Sequence, residues 1–219
     1  MGPTLQSPWL EIKESINSSA SPFDWRHVSI LDLGSGNYDC IFRFYESVGF
    51  GKYVAVDEEI PVQAMVAFDR FVSYRNEGFL NVPELNREEF DERFALHYGC
   101  KMQVFLSECR EQFDIVVLSN VLHLKDVKND WEALVKAGLA CLKPGGYCYI
   151  KVFTTEYNDA TVHFTKSELQ ALVDLLGFCS SGVEESPYWK KTWVLAKPKE
   201  QAGDGVDLEA MHPRSKPVI

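Results

Sequence analysis

Two glycines, Gly34 and Gly36, close the apolar run Val28-Ser29-Ile30-Leu31-Asp32-Leu33, and a second run, Tyr53-Val54-Ala55-Val56, ends in Asp57, 21 residues after Gly36. Glycine lets backbone approach a ligand closely, and an acid at the end of the second strand accepts hydrogen bonds from ribose hydroxyls. The spacing is that of a β-α-β unit that binds a nucleoside. A dinucleotide site would carry G-x-G-x-x-G, but the third position here is Asp39. A carboxylate there would repel a pyrophosphate at the helix N-terminus. Asp32, two residues before Gly34, serves no phosphate and suits an ammonium or sulfonium. These residues point to a cationic, phosphate-free nucleoside.

His123 is the candidate for proton chemistry. It follows the run Phe113–Leu122 at a strand's C-terminal end, where open α/β sheets place ligands. Imidazole titrates near neutral pH and can act as general base; it can equally be a loop histidine packed beside the ligand. The six cysteines, Cys40, Cys100, Cys109, Cys141, Cys148 and Cys179, form no C-x-x-C and no zinc spacing with histidine. They read as small core residues in a reducing compartment, with a reactive thiol at Cys109 as the alternative. No metal site is expected.

The elements that must position these groups alternate. Strand-like runs fall at 28–33, 53–56, 102–106, 113–119, 147–153 and 192–196, and helical periods at 37–49, 61–75, 87–98, 129–142 and 165–177. Thr165 with Glu168, Asn86 with Glu89, and Asn129 with Glu132 are helix-start signals. Lys143-Pro144-Gly145-Gly146 stops a helix and turns the chain into a strand. The alternation predicts an α/β fold with a parallel-dominated sheet and helices on both faces. Residues 1–22 read as a short amphipathic helix (5–17) and a linker, 23–198 as the main domain, and 199–219 as a flexible tail. The stretch 59–100 is long for one crossover and reads as a helical insertion; its aromatics, Phe68, Phe71, Tyr74, Phe79, Phe90, Phe94 and Tyr98, serve a lid or pocket wall or simply pack onto the sheet.

Composition bounds the partners. At 219 residues, 46% hydrophobic and 25% charged, the chain suits one soluble globular domain. A net charge of −10 disfavours nucleic acid, which is bound by clustered Lys and Arg. No apolar run approaches the ~20 residues of a membrane span, and the N-terminus lacks signal-peptide character. A cytoplasmic location is expected, with a nuclear one as the alternative.

The motifs resemble the class I S-adenosylmethionine-dependent methyltransferase superfamily over most of residues 28–197. Leu31-Asp32-Leu33-Gly34-Ser35-Gly36 is similar to its first motif, and Asp57 to its ribose-binding acid. Phe113-Asp114-Ile115-Val116-Val117-Leu118-Ser119-Asn120-Val121-Leu122-His123 resembles its fourth strand and following loop, and Cys141-Leu142-Lys143-Pro144-Gly145-Gly146-Tyr147 its turn into the fifth strand. The resemblance implies a doubly wound, mostly parallel seven-stranded sheet and S-adenosyl-L-methionine as cofactor, leaving as S-adenosyl-L-homocysteine. It implies that Asp32 holds the methionine end, which the turn Gly34-Ser35-Gly36 lets approach, and that Asp57, with Glu58 beside it, takes the ribose. Glu108 would meet the adenine amine, with the Cys109 amide serving the ring; the family more often has Asp at that place. Asn120 would line the mouth where the methyl group is presented.

The implied reaction is methyl transfer by in-line displacement to an O or N nucleophile. The sequence after the fourth strand, Ser119-Asn120-Val121-Leu122, is neither N-P-P-Y nor D-P-P-Y, which favours a small-molecule acceptor over a base or glutamine amide. A protein or RNA methyltransferase and a catalytically silent cofactor-binding scaffold are the alternatives. Tyr157, His163 and Ser186-Pro187-Tyr188-Trp189 are candidates for the pocket rim, and Trp131 and Phe153 for core or wall.

Overall fold

A computed structural model describes residues 6, 8–17, 23–36, 39–59, 65–122, 131–153, 165–175, 178–186 and 191–198. The chain divides into two compact units, Met1–Phe105 and Leu106–Ile219.

In the first unit β1 (Ser29–Leu33), β2 (Lys52–Asp57) and β3 (Phe94–Tyr98) lie parallel in the order β3-β2-β1. Ser29↔Lys52 through Leu33↔Val56 set the register of the first pair, and Tyr53↔Phe94 through Asp57↔Tyr98 that of the second. All residues of β1 are buried, as expected for a parallel strand covered on both faces. Around them are α1 (Trp9–Asn17), a 3₁₀ turn (Trp25–His27), α2 (Asp39–Val48), α3 (Ala67–Asn76), α4 (Arg87–Arg93) and α5 (Met102–Glu108), the last crossing the unit boundary.

Helices and sheet meet through aromatic rings. Phe42 on α2 lies 5.4 Å from Phe71, 5.5 Å from Phe94 and 6.1 Å from Phe90 (centroid distances), and Phe90 stacks on Phe94 at 4.8 Å. Trp9 stacks on Phe44 at 5.1 Å and meets Tyr53 edge-on at 5.7 Å, so α1 belongs to this core. Such pairs contribute roughly 0.5–1.5 kcal/mol each beyond area burial. Of the aromatics in 59–100, Phe71, Phe90 and Phe94 are therefore core, while Phe68 caps Phe90 at the rim of a cavity of about 540 Å³.

Two expectations are corrected here. The helix expected over 87–98 ends at Arg93, and 94–98 is β3. Phe90 and Phe94 share a helical spacing, but pairing with β2 offers Phe94-Ala95-Leu96-His97-Tyr98 a full ladder that a longer helix would forgo. The strand expected at 102–106 is α5: Met102 and Leu106 are buried one turn apart, while Val104 is 49% exposed. The start of α4 is as expected, with the Asn86 side chain accepting from the Glu89 N–H at 3.0 Å and Glu89 accepting from the Asn86 N–H at 2.8 Å.

The second unit contains β4 (Phe113–Ser119), α6 (Trp131–Ala140), β5 (Leu142–Phe153), α7 (Lys166–Leu175), β6 (Phe178–Ser186) and β7 (Lys191–Pro198). β4 and β5 run parallel, and β5–β7 and β7–β6 antiparallel. Thr165 and Glu168 form the expected reciprocal start of α7, with the Thr165 hydroxyl accepting from the Glu168 N–H at 3.1 Å and Glu168 accepting from the Thr165 N–H at 2.7 Å. β6 carries too many polar residues (Cys179-Ser180-Ser181, Glu184-Glu185-Ser186) for a hydrophobic-run reading to find it. The fold is of the α/β class, with parallel strands flanked by helices. The linker 18–22, the tail 199–219 and the Asn129 helix start lie outside the described residues.

Candidate active site

At the end of β1 the chain leaves the sheet through Gly34 and Gly36, whose φ angles of 76° and 54° are in the region that side chains disfavour. The Gly34 N–H donates to the Val56 carbonyl at 2.8 Å, so the turn hangs from the last residues of β2. A Cβ built on Gly36 meets nothing within 4 Å, so packing is not what excludes a side chain there. The space beside Gly36 is open to a ligand.

Asp57 organises the same corner. One carboxylate oxygen accepts the Gly36 N–H at 2.8 Å, and the other accepts the Glu59 N–H at 3.0 Å. Each oxygen has a second lone pair for a further donor, so these bonds aim the carboxylate without exhausting it. Its backbone carbonyl accepts from the Cys100 N–H at 3.2 Å, which draws the end of β3 alongside. From β3, Tyr98 comes within 3.3 Å of the Ser35 hydroxyl. Glu58 is exposed beside Asp57.

Asp32, expected at the methionine end, is a buried carboxylate near the end of β1. It is only 4% exposed and its carboxylate accepts the Tyr53 hydroxyl at 2.7 Å. Burial pushes its pKa up to about 7; the Tyr53 hydrogen bond pulls down, and the Asp57 charge adds a further upward push. Tyr53 is itself wholly buried, its phenol pushed well above its usual range by burial first and by the Asp32 charge second. Nothing in the spacing Gly-x-Gly…Asp singles out Tyr53. Its signal is faint: a tyrosine heading an otherwise apolar buried strand must find a partner for its hydroxyl.

In the second unit, β4 ends at Asn120, which has φ 61°, the one non-glycine positive φ among the described residues. Its N–H donates to the Lys151 carbonyl at 2.9 Å and its side-chain amide to the Ser119 hydroxyl at 3.2 Å. The side-chain oxygen is buried without a hydrogen-bond partner among the described residues. Asparagine tolerates that φ better than most side chains do. Lys151, opposite Ser119 on β5, is a buried lysine, 1% exposed, that belongs to none of the sequence motifs.

Glu108 ends α5 as an exposed residue, and Cys109 after it is part-buried, its thiol 3.6 Å from the Glu111 carbonyl. Cys109 and Cys141 share a cavity of about 380 Å³. There, burial first and Cys109 second raise the Cys141 thiol to about 11. His123, Tyr157, His163 and 187–189 lie outside the described residues, as do the side chains of Trp131, Phe153 and Ser186. Among the described residues no group of three or more His, Cys, Asp or Glu could hold a metal ion, and no helix is long and apolar enough to cross a membrane.

Residues 10–199 match the methyltransferase-domain family. The chain belongs to that family. With it comes membership of the class I S-adenosylmethionine-dependent superfamily. Among curated proteins, none is similar enough in sequence to count as a match.

Solved structures of similar fold include an O-methyltransferase family protein from Burkholderia thailandensis (12% identity, 88% of this chain and 56% of that one, TM-score 0.57). Another is an O-methyltransferase family 2 protein from Planctomyces limnophilus, solved with apigenin (14% identity, 78% and 51%, TM-score 0.56). A third is the glycopeptide N-methyltransferase MtfA (14% identity, 90% and 93%, TM-score 0.54). The chain thus spans about half the length of the first two and nearly all of the third.

For a methyltransferase of this family, Gly36 leaves backbone uncovered, and Asp57 keeps a lone pair on each oxygen, which suits the ribose diol of the cofactor.

Proposed function

We propose that this protein transfers a methyl group from S-adenosyl-L-methionine to an oxygen or nitrogen of a small molecule. The observation that carries the reading is Asp57, held by the Gly36 and Glu59 amides with one lone pair per oxygen left over at an uncovered glycine turn. In this reading Asp57 takes the ribose diol, with Glu58 at the outer edge. The turn Gly34-Ser35-Gly36 admits the methionine end and Asp32 supplies its countercharge. Glu108 and the Cys109 amide serve the adenine, and the Asn120 oxygen accepts a donor near the methyl group.

The bound sulfonium supplies an electrophilic methyl group, so the protein's task is alignment. Orientation alone can be worth up to roughly 7–11 kcal/mol. Where the acceptor carries a proton, His123 is the candidate to remove it. The likeness to two named O-methyltransferases, one holding apigenin, and to a glycopeptide N-methyltransferase supports an O or N acceptor on a small molecule. The absence of dense basic runs in a chain of net charge −10 supports the same class. The described cysteines are all free, which supports a reducing, cytoplasmic location.

Calorimetry with S-adenosylmethionine and S-adenosylhomocysteine tests the cofactor, and labelled-methyl transfer to metabolite, protein and RNA pools tests the acceptor. Label in the metabolite pool supports the reading; no cofactor binding at high micromolar concentration, or label in macromolecules alone, defeats it. His123→Ala is expected to lower turnover about 100-fold on an acceptor that must lose a proton, with cofactor affinity unchanged; unchanged turnover removes the base role.

A further inference from the structure

We propose that Tyr53 is a positioning residue of the cofactor site: its phenol, anchored in the aromatic core, fixes the Asp32 carboxylate for the cofactor's ammonium and favours its charged form. This rests on the reading that Asp32 serves the cationic end of S-adenosylmethionine.

The geometry begins with register. Ile30 pairs with Tyr53 and Asp32 with Ala55. Side chains two apart on a strand share a face, so Tyr53 and Ala55 on β2 lie on the face that carries Ile30 and Asp32 on β1. Ala55, small and opposite Asp32, leaves room for the tyrosine hydroxyl to reach along the sheet, and it arrives at 2.7 Å. Trp9 at 5.7 Å, Phe50 at 6.2 Å and Phe94 at 6.5 Å pack around the ring, so the phenol cannot swing away. A phenylalanine would fill that aromatic core equally well; among the described residues the hydroxyl's hydrogen-bond partner is Asp32.

The charge balance makes the hydroxyl consequential. Burial raises the Asp32 pKa to about 7, and the Asp57 carboxylate on β2 pushes in the same direction, while Tyr53 opposes both. Around the phenol, Tyr98 on β3 and Cys40 on α2 add only groups that disfavour its ionisation, so it remains a donor. A carboxylate poised there binds a cation well only above its pKa. Protonation on acidification therefore weakens binding of an ammonium, with a midpoint near neutrality. Removing the Tyr53 hydroxyl moves that midpoint to higher pH.

The test is calorimetric titration of the full chain with S-adenosylmethionine between pH 6 and 9, comparing wild type with Tyr53→Phe. The variant is expected to show its acidic midpoint displaced upward by about one pH unit, and so to bind roughly 3-fold more weakly at pH 7.5 and about 10-fold more weakly at pH 6. Binding of 5′-methylthioadenosine, which has the nucleoside but no ammonium, is expected to be unchanged. Asp32→Asn keeps an acceptor for Tyr53 and is expected to bind the cofactor weakly with no acidic limb, which tests the charge even if Tyr53→Phe folds poorly. A Tyr53→Phe profile superposable on wild type, an equal loss for 5′-methylthioadenosine, or an acidic limb surviving in Asp32→Asn overturns the inference. Wild-type protein that binds no S-adenosylmethionine overturns the proposed function instead.

Discussion

Two glycine turns, one in each unit, differ in what the missing side chain makes room for. At Gly36 a Cβ would meet nothing within 4 Å, yet the φ of 54° keeps the position for glycine and Asp57 holds its amide. At Gly146 a Cβ would lie 2.8 Å from the Asp114 carbonyl oxygen and 3.0 Å from that of Lys143. Close by, the Lys143 ammonium reaches the Asp114 carboxylate at 2.8 Å, and the Phe113 N–H donates to the Cys141 carbonyl at 2.7 Å. One turn is open toward solvent; the other is closed by the Asp114 and Lys143 carbonyls and seats β5 on β4. Similar residues in similar motifs thus leave space open in one unit and fill it in the other.

The comparison can be broken most sharply at Gly146. Gly146→Ala is expected to cost about 3 kcal/mol of stability, because backbone rather than a flexible side chain must yield. Cofactor affinity of the folded fraction is expected to remain at the wild-type value; chemical denaturation paired with calorimetry reads both. A stable Gly146→Ala protein with weakened binding would erase the distinction.

Asp57→Ala is the converse, with an expected loss of cofactor affinity of roughly 30-fold or more, about 2 kcal/mol for charged hydrogen bonds. Its melting temperature is expected to drop little, since the Gly36 and Glu59 amides sit where water can replace the carboxylate. A large stability loss with affinity intact would make Asp57 a structural clamp.

Asn120→Gly sharpens the smallest difference. Relief of the positive φ is expected to stabilise the fold by about 0.5–1 kcal/mol, while loss of the orphan acceptor weakens cofactor binding a few-fold. Thermal melts and titrations on one preparation check this trade; a gain in stability with no loss of binding would take Asn120 out of the site.

Much of the first unit was legible in the sequence because its signals are local. The continuous apolar run of β1, the glycines after it and the acid ending β2 each follow from burial on both faces or from a φ that glycine tolerates. The Asn86–Glu89 and Thr165–Glu168 helix starts are equally local, since both partners lie within one turn. Errors arose where a long-range pairing overrode local pattern. Phe90 and Phe94 fit one helical face, but β2 captures Phe94–Tyr98 as a strand, and the apolar run at 102–106 is helical because Met102 and Leu106 both face inward.

By itself, the sequence determined the α/β class, the glycine turn, Asp57 and the family to which these residues belong, because each is encoded by residue type at short or fixed spacing. Only the tertiary structure decided that Asp32 is bound to Tyr53, that Asp57 holds the glycine turn through the Gly36 amide, and that Asn120 carries an acceptor without a donor among the described residues. Those facts depend on register and burial, which bring groups 21 residues apart within hydrogen-bond distance and which no local pattern of residues specifies.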